Sequence, residues 1–250
     1  MNILAIDTTS KYLSLAIAKG EKVVASFHKI MDQRQCEELL PQIDKLLKKS
    51  KLKLRDIDYI VFSKGPGSLT ALRIGAATVK GLALATKIKI VSVPTLDLLA
   101  YAQGRSFGQS EACPGSAKKG TPFLTAKGPS LIVPMVDARR GNVYSAVYSF
   151  KNGKLRRKSK YSVAPPAEVL KSVKGDAIFL GDGLVAYRKF IEDNFKYKPE
   201  FAAENDWYPL AETLIDLGCE AIKGKKFEEA DKFIPMYLYP KDVQVRDMRK

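Results

Sequence analysis

Histidine is almost absent from this chain: His28 is the only one in 250 residues. One histidine cannot supply H-x-x-H or H-E-x-x-H, so a histidine-built metal site is excluded. A Ser-His-Asp triad would have to use His28, whose strand-like setting between Phe27 and Lys29 gives it no support. His28 therefore reads as a structural residue. Cysteine is scarce as well. Cys36, Cys113 and Cys219 lie far apart, are odd in number and form no C-x-x-C pair. That speaks against a disulfide framework and a cysteine zinc site, and a reducing, cytoplasmic setting is expected. Cys36 falls on an apolar helical stripe, as a small hydrophobe rather than a nucleophile. Long apolar runs are missing too: no stretch approaches the ~20 residues that span a bilayer. The opening Met1-Asn2-Ile3-Leu4-Ala5-Ile6-Asp7 has no basic stretch before its apolar run, which stops at an aspartate. No signal peptide is expected.

Acidic residues are the other shortage. There are 27 against 42 basic ones, a net charge of +15. A polyanion such as RNA is one reading of that excess, and a lysine-rich solvated surface is the other. The clusters Arg156-Arg157-Lys158 and Arg246 to Lys250 are better RNA candidates than the total. The remainder is ordinary, with 46% hydrophobic and 28% charged residues. Such a length suits one large domain or two small lobes, with ample material for a core.

What is present, first of all, is an internal repeat. Ile3–Asp7, the turn Thr8-Thr9-Ser10, Tyr12–Ala18, the turn Lys19-Gly20-Glu21 and Val23–His28 form one series. Ile132–Asp137, the turn Ala138-Arg139-Arg140-Gly141, Val143–Phe150, the turn Lys151-Asn152-Gly153 and Lys154–Val163 form its counterpart. Asn152-Gly153 is a strong hairpin signal. Each half then adds a strand, a glycine turn and a helix: Ile57–Ser63 with Gly65-Pro66-Gly67, and Ala177–Leu180 with Gly181-Asp182-Gly183 and a helix to about Asn194. The order strand-strand-strand-helix-strand-helix, used twice, resembles the actin, hexokinase and Hsp70 superfamily. It predicts a duplicated α/β fold of this ASKHA type, two mixed-sheet lobes with helices. The expected division is an N-terminal actin-like lobe over 1–103, a flexible insertion over 104–130, and a C-terminal actin-like lobe over 131–250. The insertion is rich in Gly, Ser, Lys, Pro and Ala and lacks periodicity.

Two helices stand out. In the first, about Gln33 to Lys49, Cys36, Leu39, Leu40, Ile43, Leu46 and Leu47 share a stripe. Asp32 with Gln35 can cap it, and Pro41 predicts a kink or a late start. The second spans Leu69 to Thr86. Leu69, Leu72, Ala76, Val79 and Ala83 form one stripe, and Ala71, Gly75, Thr78, Leu82 and Ala85 another. So many small residues allow close approach on two sides, one for its own sheet and one for a second helix, although full burial in its own domain is equally open.

The turns carry what chemistry there is. Asp7-Thr8-Thr9 ends a strand and can present hydroxyls and N–H groups to phosphate. Gly65-Pro66-Gly67-Ser68 precedes a helix N-terminus, which favours an anion. It is not a Walker A loop, since no Gly-Lys-Ser/Thr follows, and from the residues alone a tight turn capped by Ser68 is the favoured reading. Asp137 is followed by Arg139 and Arg140 in the counterpart turn and reads as a paired structural carboxylate.

These residues resemble the TsaB (YeaZ) family. The resemblance rests on Leu4-Ala5-Ile6-Asp7-Thr8, the Leu39-Leu40-Pro41 helix, Gly65–Gly81, Val136-Asp137-Ala138-Arg139 with Gly141-Asn142-Val143-Tyr144, Gly181-Asp182-Gly183, and Pro235-Met236-Tyr237-Leu238-Tyr239-Pro240. The family favours Phe where Leu69 stands, Gly where Ala71 stands, and often His where Gln35 stands. The resemblance implies a non-catalytic subunit of the tRNA threonylcarbamoyladenosine machinery. It implies pairing through the first two helices with a TsaD-like paralogue, a TsaE-like ATPase at the interface, and tRNA reached through the complex. Self-pairing is possible when the chain is alone. The implied interface is Cys36, Leu39, Leu40, Ile43, Leu72, Ala76 and Val79. Asp7, Thr8, Thr9, Gly65, Gly67, Ser68 and Asp137 are the candidate phosphate contacts. No cofactor is expected to bind the lone chain tightly, with ATP or ADP belonging to the complex interface. An independent small kinase of the same superfamily is the alternative, and a metallopeptidase, an old label on the wider family, is opposed by the single histidine.

Overall fold

The structure is a computed structural model that describes residues 1–31, 34–108 and 131–239. Residues 109–130 of the expected insertion, Asp32 of the expected cap, Cys113 and the basic cluster from Arg246 lie outside the described residues. The chain divides into two compact units, residues 1–98 with 208 onward, and residues 99–207.

The first unit is built on a five-stranded sheet. Its strands are β1 (Asn2–Asp7), β2 (Tyr12–Lys19), β3 (Lys22–Ile30), β4 (Tyr59–Ser63) and β5 (Lys89–Val93), in the order β3-β2-β1-β4-β5. β1, β2 and β3 pair antiparallel, whereas β4 runs parallel to both β1 and β5. Alternation along β1 sorts its side chains to two faces. Leu4 and Ile6 join α1 (Gln35–Lys49) and α2 (Leu69–Thr86) in one core, with Leu39, Ile43, Leu72 and Val79. Ile3 and Ala5 face the other way, onto α6 (Ala211–Lys223), with Ala16, Val61, Leu214 and Ile215. A strand covered on both faces must be apolar throughout, which is why Ile3–Ile6 is an unbroken run. Ala5, Ala16 and Ala18 beneath it and Gly218 on the helix itself let α6 approach closely. A Cβ on Gly218 would come within 2.6 Å of Val61 Cγ2.

The second unit repeats the order. β6 (Leu131–Arg139), β7 (Asn142–Ser145), β10 (Ser162–Ala164), β11 (Ala177–Leu180) and β12 (Pro199–Phe201) stand as β10-β7-β6-β11-β12. β8 (Tyr148–Lys151) and β9 (Lys154–Arg157) form an added hairpin on β6. α4 (Pro166–Ser172) and α5 (Leu184–Asn194) complete it, together with α3 (Thr95–Gly108) from Leu99 on.

Several expectations are corrected. The expected C-terminal lobe does not run on to residue 250, because α6 covers the first sheet and its Ala211 N–H donates to Ser14 Oγ at 2.9 Å. Residues 104–108 are the end of α3 rather than insertion, and Gly104 sits where a Cβ would strike the Phe150 ring at 2.3 Å. The runs Val143–Phe150 and Lys154–Val163 are each broken. Val147 ties back to Lys158 and Ser159 (Lys158 N to Val147 O, 2.7 Å; Val147 N to Ser159 Oγ, 2.9 Å), so the third strand of the repeat is β10. The Asn152-Gly153 turn forms as expected, with both residues at positive φ. α2 spans the predicted residues and ends at Lys87, which adopts the left-handed conformation. By length and composition α2 is also apolar enough to cross a membrane. Its apolarity serves the core, since Leu72, Ala76, Val79 and Ala83 are buried there.

Candidate functional site

β1 and β4 lie side by side and parallel, so the turns that follow them meet at one end of the sheet. One turn is Asp7-Thr8-Thr9, and the other is Gly65-Pro66-Gly67-Ser68. The Asp7 carboxylate is completely buried. It accepts the Thr9 N–H at 3.1 Å and the Thr9 hydroxyl at 3.0 Å. Burial raises its pKa from 3.8 to about 6, opposed by the hydrogen bonds from Ser63 and Thr9. Thr8 is equally buried, and its Oγ1 lies against α2 where a Cβ on Gly75 would reach within 2.3 Å.

The glycine turn closes on the aspartate turn. Ser68 N–H, at the N-terminus of α2, donates to the Thr9 carbonyl at 2.8 Å. A Cβ on Gly67 would stand 2.3 Å from that same carbonyl oxygen, so only glycine allows this approach. Gly65 has φ +101°, and the Gly65–Pro66 peptide is cis. The Gly65 carbonyl accepts Thr95 N–H at 2.8 Å, and Ser63 Oγ pairs with Thr95 Oγ1 at 3.0 Å. Six of the seven candidate phosphate contacts are thus brought together, but their described hydrogen bonds are made within the chain. Ser68 is the N-cap by position, with no capping bond from its side chain.

Asp137, the seventh, lies in the second unit. Its carboxylate accepts Arg139 N–H at 2.8 Å and pairs with Arg139 Nη1 at 3.3 Å, the paired structural role expected of it. Its own N–H donates to Asp182 Oδ1 at 2.9 Å. Burial raises the Asp182 pKa, with the Asp137 N–H opposing. The Gly181-Asp182-Gly183 turn repeats the closure seen in the first unit. Gly183 N–H donates to the Met135 carbonyl at 2.9 Å, and Cβ atoms on Gly181 or Gly183 would meet that oxygen at 2.5 or 2.8 Å.

Sequence reasoning missed what covers the Gly65 turn. Met236 N–H donates to the Lys64 carbonyl at 2.7 Å, and its own carbonyl lies 3.1 Å from a Cβ placed on Gly65. In the sequence, Pro235 to Pro240 stands only as a landmark of the family resemblance. Its apolar character, with Phe233 buried just before it, was the available signal. His28 stacks on Tyr12, with ring centroids 4.4 Å apart. Among the described residues no three His, Cys, Asp or Glu come together as a metal site.

The implied interface residues divide in two. Leu39, Ile43, Leu72, Ala76 and Val79 are buried in the core of the first unit, so a partner could reach them only by unfolding it. Cys36 and Leu40 are exposed. The outer face of α2 is a different stripe, Thr70, Arg73, Ala77, Gly81 and Leu84, all exposed. The correction is one of phase: each stripe marks a buried face, and on α1 and α2 that face meets the chain's own sheet. α1 runs unbroken through Pro41, and Gln35 Nε2 is bonded to the Ser10 carbonyl at 2.7 Å.

A 3-2-1-4-5 sheet order used twice, with a closed glycine turn at the head of a helix in each half, defines a protein of the actin/hexokinase/Hsp70-like class. A family model described as "TsaD: tRNA N6-adenosine threonylcarbamoyltransferase" matches residues 29–245. The "tRNA threonylcarbamoyladenosine biosynthesis protein TsaB" of Bacillus subtilis (strain 168) is 31% identical over 95% of this chain and 94% of its own. Its namesake from Escherichia coli (strain K12) is 26% identical, with 95% and 94% covered. The solved structure of YeaZ from Pseudomonas aeruginosa superposes with a TM-score of 0.76 at 26% identity, covering 95% of this chain and 99% of that one. The chain belongs to the TsaB family.

Proposed function

We propose that this chain takes part in tRNA threonylcarbamoyladenosine biosynthesis as a non-catalytic subunit that pairs with a TsaD-like paralogue. The names of its relatives support the process. The closed turn supports the non-catalytic role. An actin-like transferase or kinase needs donors turned toward phosphate, whereas here Ser68 N–H is bonded to Thr9 and the Asp7 carboxylate is buried. The engagement of Ser68 N–H and of the Asp7 carboxylate within the chain speaks against the kinase reading.

The surface for pairing is the outer face of α1 and α2. Leu40 on α1 is 54% exposed and Leu84 on α2 is 62% exposed, and the exposed Ala77 and Gly81 on α2 leave room for a second helix. Apolar side chains exposed together on neighbouring helices suit a helix-on-helix contact. A TsaE-like ATPase would join at that contact, with ATP or ADP held there and tRNA reached through the complex. The lone chain would pair with itself through the same face. The cytoplasm is the compartment this role requires.

Size-exclusion chromatography of the purified chain with the TsaD of its own genome tests the reading. A heterodimer is expected, and Leu84→Glu should abolish it while leaving the fold intact. No heterodimer, or one indifferent to Leu84→Glu and to Leu40→Glu, would sink the proposal.

A further inference from the structure

A cavity of about 370 Å³ opens in the second unit between α4, α5 and the connection that follows α5. It lies within the size range of small-ligand pockets. Its apolar wall includes Leu170 and Val173, both buried, and the ring of Phe190, which is partly exposed. Its rim carries three ammonium groups, Lys171, Lys174 and Lys196. Among the described residues none of the three has an ion-pair partner. The nearby acids are partly engaged elsewhere: Glu192 pairs with Arg188 at 3.0 Å, and Asp176 Oδ1 accepts Lys198 N–H at 3.1 Å. Helix-end electrostatics account for Lys171, in the last turn of α4, but not for Lys174 or Lys196, which lie outside any helix.

The polar chemistry is equally specific. Asn194 spends one amide N–H on the Phe190 carbonyl at 2.9 Å, which fixes its side chain and leaves Oδ1 as an acceptor. Tyr197 supplies a second ring, with Lys196 Nζ 6.0 Å from its centroid. Two rings, one fixed acceptor and three lysine ammonium groups fit a planar ring bearing an amino group and a phosphate.

We propose that this pocket binds a nucleotide, its base against Phe190 and Tyr197 and its phosphate on Lys171 and Lys174. Such binding would stand apart from the pairing proposed above. The nucleotide can be free or one unit of a single-stranded RNA, and the two sources share the same chemistry.

Fluorescence anisotropy with a labelled single-stranded RNA ten-mer, with AMP as titrant and competitor, separates them. Lys171→Gln/Lys174→Gln should weaken RNA binding about tenfold, against less than about threefold for the equal charge loss Lys151→Gln/Lys154→Gln at the β8–β9 turn. Phe190→Ala should weaken both probes by about fivefold or more while leaving tripolyphosphate binding unchanged. AMP displacing RNA at submillimolar concentration identifies a free-nucleotide site. RNA binding that depends on Lys171 and Phe190 but resists AMP identifies a site for a nucleotide within a strand. Equal effects of the two lysine pairs, no effect of Phe190→Ala in a folded variant, or no binding of either probe overturns the proposal.

Discussion

The Ser68 N–H and the Thr9 carbonyl meet at 2.8 Å, and with that contact the head of α2 is closed by the chain itself. The approach depends on Gly67, where a Cβ would stand 2.3 Å from the Thr9 oxygen, a backbone atom that cannot swing aside. Gly67→Ala should therefore destabilise the chain by ~1–3 kcal/mol, the usual penalty of forcing atoms into a packed site. Gly81 gives the contrast. It is exposed on α2 with nothing within 4 Å of an added Cβ. Gly81→Ala should stabilise by ~0.5–1 kcal/mol through helix propensity alone. Urea unfolding of both variants checks the pair. Similar effects of the two would mean the turns are not held together as described.

The Asp7 carboxylate makes stability depend on pH in an uncommon direction. The native chain keeps this proton to about pH 6, whereas the unfolded chain releases it near 3.8. Between those values the native state binds more protons, so stability falls as pH rises from about 4 to about 6 and is level above. The whole change amounts to about 3 kcal/mol at 1.36 kcal/mol per pKa unit. Other carboxylates titrate in the same range, so the readout is the difference between the wild type and Asp7→Asn, whose side chain stays neutral. The variant should lack this fall. Parallel curves for the two proteins would show that Asp7 is not buried as a carboxylate.

Much of this was legible because it is local. The period of α2 gave its ends, and the order of strands gave the duplication. The Asn152-Gly153 turn gave its hairpin. What was not legible concerns which surface covers which. The apolar face of α6 says that something must cover it, but not that the sheet of β1 and β2 does, more than 190 residues earlier in the chain for Ala211 and Ser14. Likewise the stripe Leu72, Ala76 and Val79 marks a buried face, and periodicity does not distinguish burial against one's own sheet from burial against a partner. The break at Val147 was hidden for a related reason. It is set by the hydrogen bonds to Lys158 and Ser159, and alternation of apolar residues carries no mark of it.

The coverage of the first sheet by α6 predicts a sensitive spot far from either turn. Gly218 faces Val61, and a Cβ there would be 2.6 and 2.7 Å from its two methyl groups. Gly218→Val should cost at least ~1–3 kcal/mol by overpacking, which in a chain of this size lowers Tm by roughly 2–4 °C per kcal/mol. The same substitution paired with Val61→Ala, which opens space, should recover part of the loss. A thermal melt in which the pair is merely additive would deny the contact.

The last prediction separates the inner and outer faces of α2. Val79 is fully buried, packed with Leu72 against the sheet, and Leu84 is 62% exposed on the opposite side. Introducing a carboxylate at Val79 buries a charge with no partner, and the penalty exceeds the stability of most domains unless the group stays protonated. Val79→Glu should therefore fail to fold, and any loss of partner binding would say nothing about the interface. Leu84→Glu places the same carboxylate in water, with a stability change within about 0.5 kcal/mol. If α2 pairs through its outer face, Leu84→Glu alone should lose the partner while keeping its circular dichroism and melting temperature. A Val79→Glu chain that folds and binds normally would instead mean that α2 is rotated, with Val79 outward and the stripe of Ala77, Gly81 and Leu84 inward.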